Sequence, residues 1–175
     1  MVQIFSLMWI LAVFFGIVGL IRGWSKEIIA TAGIVLGMFA LFQFDTLLRG
    51  TILLRFPIDQ VFFIQAGIFL VIVFFAYQNR TFVGDRDPEE GVQNALLGGL
   101  VGCVNGYLIG GSLWYFMDIS QYPFDPYILA PAANSPSAQQ IDLMPMVLLG
   151  GGVTGGAELL PIAVIFLFLL VLIVL

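Results

Sequence analysis

Residues 92–117 read VQNALLGGLVGCVNGYLIGGSLWYFM, and this stretch decides the fold. It contains no lysine, arginine, aspartate or glutamate, and it is longer than the roughly 17–25 residues a helix needs to cross a hydrocarbon core. Lipid cannot satisfy free backbone N–H and C=O groups, so such a segment has to be a helix. Gly98, Gly102, Gly106 and Gly110 recur every four residues, with Gly99 and Gly111 beside them. On a helix this spacing makes a ridge without side chains, along which a second backbone can approach closely. Asn105 sits near the middle, next to the ridge. An amide in lipid typically makes an interhelical hydrogen bond of about 0.6–2 kcal/mol, so packing glue is the reading preferred to a substrate-binding role. Gln65, one turn into another apolar run, is a partner for Asn105 only if the two share a depth, and its place near the interface argues against that.

Four further apolar runs flank this one, at residues 4–21, 28–44, 61–77 and 159–175. Together they predict an all-α, multi-pass transmembrane bundle of five spans. Residues 1–118 form a four-helix core, 119–158 a Pro/Gly-rich extracytoplasmic loop, and 159–175 a C-terminal transmembrane helix. The second run carries Gly33-x-x-x-Gly37 with Ala30 and Ala40 in line. We expect its small face to meet the ridge of the fourth run and form the tight centre, with the fifth span on the periphery. No basic residue precedes the first run and no small-x-small pattern follows it, so it reads as a retained span and not a signal peptide.

Composition agrees. Of 175 residues, 61% are hydrophobic and only 10% charged, with 20 glycines besides. A soluble domain is about 45–50% apolar with glycine included, so a soluble enzyme is excluded. The net charge of −5 argues against nucleic acid as a partner. With no histidine and a single cysteine, Cys103, neither an internal disulfide nor a zinc or copper site of the usual kind is available. No P-loop, no nucleophile with a base and no enclosed carboxylate pair is present. The chain therefore reads as non-enzymatic and without cofactor, with the bilayer and other membrane helices, including further copies of itself, as its partners.

Orientation follows from the basic residues. Arg22, Lys26, Arg80 and Arg86 fall in the loops after the first and third runs, Arg49 and Arg55 in the loop after the second. The positive-inside rule then puts the N-terminus outside and the C-terminus inside the bacterial cytoplasmic membrane. The segment 118–158 has four acidic residues and no basic ones, in keeping with an external position. Its prolines (Pro123, Pro126, Pro131, Pro136, Pro145) and the glycines Gly150, Gly151, Gly152, Gly155 and Gly156 predict an extended or loosely folded loop. In residues 45–60, apolar Leu47, Leu48, Ile52, Leu53, Leu54 and Phe56 mix with Arg49 and Arg55, which predicts a short stretch lying in the outer interface.

Two turns have structural readings beside functional ones. In LIRGWSKE, Arg22 meets a helix C-terminus, Gly23 ends that helix, Trp24 suits the headgroup layer, Ser25 caps the next helix and Glu27 enters its first turn. The alternative is an Arg22–Glu27 contact to a partner or a neighbouring helix. In DRDPEE, Asp87 reads as an N-cap, Pro88 as the first helical position, and Glu89 and Glu90 as first-turn acids. A cation held by Asp85, Asp87, Glu89 and Glu90 is the weaker reading, because a calcium loop needs more ligands and an internal glycine.

The sequence also resembles the colicin V production protein family, CvpA-like bacterial membrane proteins. The likeness rests on GLIRGWSKEIIATAGIVLG at residues 19–37 and VQNALLGGLVGCVNGYLIG at residues 92–110. Arg22, Gly23, Glu27, Gly37, Asn94, Gly98, Gly102 and Gly106 fall on motif positions. The resemblance covers roughly residues 1–118 and departs at Ala95 and Asn105, where family members often carry a basic residue. It implies a role in producing or exporting a peptide toxin, or in envelope homeostasis, with no agreed molecular activity. Beside a scaffold or accessory role, the sequence leaves open an oligomeric pore or exporter subunit lined by the fourth helix, or a subunit of a larger membrane complex.

Overall fold

The computed structural model describes residues 4–78, 90–125, 127–151 and 159–174. Helix α1 spans Ile4–Arg22 and α2 Trp24–Gln43; after them come a three-residue helix α3, Asp45–Leu47, and a π-helical turn, Leu48–Ile52. Helix α4 covers Ile58–Tyr77 and α5 Glu90–Ile119; a 3₁₀ segment, Ala138–Leu143, leads to the short α6, Pro145–Leu149, and α7, Leu160–Val174, closes the described chain. The fold is all-α, as hydropathy predicts. Among the described residues, four helices, α1, α2, α4 and α5, are long and apolar enough to cross a membrane. Helix α7 has 15 residues, about 22 Å at 1.5 Å per residue, and so is shorter than these four. The DRDPEE reading falls outside the described residues, except that α5 begins at Glu90.

One residue separates α1 from α2. Gly23 has φ +80° and ψ 161°, a region essentially open only to glycine, and its N–H closes the last turn of α1 on Gly19 O at 2.9 Å. Ser25 does not cap α2 as expected: the helix starts at Trp24, two residues earlier than a Ser25 cap implies, which places Ser25 inside the first turn and buries it. The cap comes from another helix instead. Asn94 of α5 accepts the Trp24 N–H on its side-chain oxygen at 3.1 Å.

Helix α5 is the axis of the bundle. Its most extensive contact is with the antiparallel α1; α2 packs on it too and also carries α4 and α7. The glycine ridge lies against α1 and not, as expected, against the small face of α2. Gly98 abuts Gly19 and Gly23, and Gly102 abuts Phe15 and Gly19. A Cβ on Gly106 would stand 2.6 Å from Ala12 Cα, and one on Gly110 3.3 Å from Met8 Cα. The reason is complementarity: Ala12, Gly16 and Gly19 leave the facing backbone of α1 as bare as the ridge itself, so main chain meets main chain. The small face of α2 takes α4 instead, with Gly33 against Ala76 and a Cβ on Gly37 reaching within 2.9 Å of Ile72 Cγ2. Between these interfaces sits the core, around Met8, Ile34, Met38, Phe69, Trp114 and Phe116. Outward faces such as Ile10, Val13 and Phe14 on α1, or Phe74 and Phe75 on α4, remain exposed, as the sides of helices that meet lipid should.

The segment after α5 is docked on the bundle, where a loosely folded loop was expected. Apolar residues among its prolines supply the anchor. Met144 and Met146 are fully buried, Tyr122 nearly so, and the Pro145 ring seats on Gly111, which has no side chain to obstruct it. Tyr107 donates its hydroxyl to Leu143 O. Burial, and the Asp118 carboxylate that accepts the Tyr122 hydroxyl at 2.8 Å, hold the Tyr122 phenol above its ordinary pKa, against an opposing effect of the Trp114 indole. The stretch after α2 behaves as its composition predicts in one respect: Leu47, Ile52, Leu54 and Phe56 are exposed. Arg49 departs from it and turns inward.

Candidate functional site

The residues with the most chemistry converge at the end of the bundle where α1 turns into α2. Glu27, in the first turn of α2, is wholly buried. The close α1–α2 hairpin brings Arg22 back over it, with Nη1 donating to Glu27 Oε1 at 2.9 Å. The other carboxylate oxygen accepts the Asn105 amide at 2.8 Å and the Tyr77 hydroxyl at 3.1 Å. The second Asn105 N–H reaches Glu27 O at 3.1 Å. Thr31, one turn further along α2, has its hydroxyl 2.8 Å from Glu27 O and 2.7 Å from Asn105 Oδ1, so one proton serves two acceptors.

Arg22 has a further task. Its Nη2 donates to Tyr77 O at 2.9 Å, in the last turn of α4, and its guanidinium lies 4.4 Å from the centre of the Tyr77 ring. It therefore sits at the negative ends of both α1 and α4 and stacks on an aromatic face as well. All four long helices contribute to the cluster: Arg22 from α1, Glu27 and Thr31 from α2, Tyr77 from α4 and Asn105 from α5.

A buried ion pair persists only when neighbouring groups satisfy its remaining lone pairs and protons. Here the Asn105 amide and the Tyr77 hydroxyl satisfy the carboxylate, the Tyr77 carbonyl takes a further Arg22 proton, and Thr31 holds the Asn105 oxygen. The arrangement can hold a charge inside the bundle and couple the positions of four helices.

A second cluster lies at the opposite end, beside the loop. Arg49, on the π-helical turn, donates to Asp45 Oδ1 at 3.0 Å, Gln65 Oε1 at 2.6 Å, Ser120 Oγ at 3.1 Å and Ile119 O at 3.2 Å. Gln65 completes the set by donating to Asp45 Oδ1 at 2.8 Å. Gln65 is thus far from Asn105, in agreement with its shallow position in the sequence. Among the described residues no group of three or more potential metal ligands occurs.

The motif residues Arg22, Gly23, Glu27 and Asn94 all gather at the hairpin end, and Asn105 joins them. Of the packing residues, Gly98, Gly102, Gly106 and Gly110 belong to one interface and Gly33 and Gly37 to another. Sequence reasoning missed three things: the depth of Glu27, and the parts played by Thr31 and Tyr77. Thr31 follows Glu27 by four residues and so shares its face, a signal that was there to be read. Tyr77 at the end of a span reads as an ordinary interfacial aromatic, and nothing in the sequence separates it from one.

The family model described as colicin V production protein matches residues 6–147. The match runs beyond both resembling blocks, through the docked segment and into α6. Comparison with curated proteins and with solved structures gives no match.

Proposed function

The chain belongs to the colicin V production protein family, and from that premise we propose that it is a non-enzymatic scaffold or accessory factor of the bacterial cytoplasmic membrane. It serves peptide-toxin production or export, or envelope homeostasis. One observation carries this reading: the motif residues Arg22 and Glu27, together with Asn105, form one hydrogen-bonded cluster with Tyr77 inside the bundle. Their role is to fix four helices into one frame. Partners then meet the frame through its lipid-facing helix sides and the docked segment after α5. In this reading the hairpin end faces the cytoplasm, where Arg22 and Lys26 satisfy the positive-inside rule, and the docked segment faces out.

The same geometry weighs against a pore lined by α5, since its glycine ridge is occupied by α1 and Asn105 is wholly buried. Two measurements separate the readings. A scaffold co-purifies with other membrane proteins under gentle solubilisation, and loses them in Gly102→Leu, where a side chain would strike Phe15 and Gly19. A chain that always runs alone contradicts the scaffold. Reproducible conductance of the purified protein in planar bilayers, altered in Asn105→Leu, establishes the pore instead.

A further inference from the structure

Helices α1 and α4 both pack on their neighbours but barely on each other, and the space between them toward the loop end is a cleft of about 480 Å³. Leu7 and Leu11 of α1, Phe63 and Leu70 of α4, Leu113 of α5 and Phe124 of the docked segment are among its walls. No charged, hydroxyl or carboxamide side chain lines it, so water inside would find almost none of the polar partners it needs. Aromatic contacts bridge α1 and α4 beyond the cleft on one side and wall it on the other. Toward the hairpin, Phe15 lies 5.4 Å from the Tyr77 ring; toward the loop, Phe124 meets Phe62 and Phe63 edge-on, each at 5.5 Å. The long side is open. Its lips, Leu7, Phe63 and Leu70, are each about half exposed and continue the lipid-facing sides of α1 and α4. Gly67 keeps the α4 wall bare: a Cβ there would meet nothing within 4 Å.

We propose that this cleft is a binding site for one acyl chain of a bilayer phospholipid, entering sideways between α1 and α4. The cleft is continuous with the exposed apolar sides of α1 and α4, its volume is that of a small-molecule site, and its lining is almost wholly apolar. Trp114 reports on it, because it stands at the inner wall of the cleft and is only 1% exposed in all.

The test uses the full chain carrying Trp9→Phe and Trp24→Phe, so that Trp114 is the sole tryptophan, in vesicles of phosphatidylglycerol and phosphatidylethanolamine with dibrominated acyl chains. Bromine quenches tryptophan at short range. The proposal expects Trp114 to be quenched, and expects that quenching to be lost when Gly67→Phe fills the cleft. Gly67→Leu is a smaller filler for the same open space, should the phenyl ring disturb folding. An unquenched Trp114 overturns the proposal, as does quenching that persists unchanged in a folded filled variant.

Discussion

The two ends of the bundle are built from the same three groups, an arginine, a carboxylate and a carboxamide, yet they differ in depth. At the hairpin end Glu27 is wholly buried and the Arg22 side chain only 18% exposed; at the loop end the Asp45 side chain is 38% and that of Arg49 22% exposed. Burial decides what each arrangement is worth. A charge left alone in the interior has no water to turn to, whereas a half-exposed one is rehydrated when its partner is lost. The hairpin end therefore couples helices tightly, and the loop end acts as a replaceable fastening.

That contrast sets an order of effects. Glu27→Ala leaves Arg22 without its carboxylate and removes the oxygen that accepts from both Asn105 and Tyr77, and should destabilise the protein by about 3–5 kcal/mol, read as the shift in unfolding by sodium dodecyl sulfate in mixed micelles. Asn105→Leu removes the amide but leaves the ion pair, and should cost about 1–2 kcal/mol in the same assay. Asp45→Asn at the loop end should cost less than about 1 kcal/mol, and the difference should shrink further in high salt. Equal effects for Glu27→Ala and Asp45→Asn would remove the distinction between the ends.

Much of the architecture is legible in the sequence because hydropathy in long blocks permits few alternatives. The observed helices start and stop within a few residues of the apolar runs. The glycine ridge is legible as a surface of close approach, but a bare ridge does not say which helix fills it. Ala12, Gly16 and Gly19 of α1 held that answer, in a run that reads as uniformly apolar. The site was half legible. Arg22, Gly23, Glu27, Asn94 and Asn105 stand out as motif or intramembrane polar residues, yet the turn around Glu27 has the composition of a headgroup-level loop. Its burial arises only when a one-residue hairpin lets α4 and α5 close over it, and that is a property of tertiary packing. The docking of the segment after α5 is hidden for a similar reason: its prolines are conspicuous, while the anchors between them, Met144 and Met146, carry no periodic signal.

The whole bundle depends on α1 lying flush against α5 within one chain, since that contact brings the hairpin with Arg22 and Glu27 to the helix carrying Asn94 and Asn105. Gly16 and the native Cys103 measure it. A Cβ on Gly16 would lie 3.8 Å from Cys103 Cβ, the mean separation across a disulfide of about 3.8 Å. Under mild oxidation in membranes, Gly16→Cys should lose both free thiols and remain a single chain on a non-reducing gel. Free thiols that still react with a maleimide, or a bond that forms only between two chains, would contradict the account.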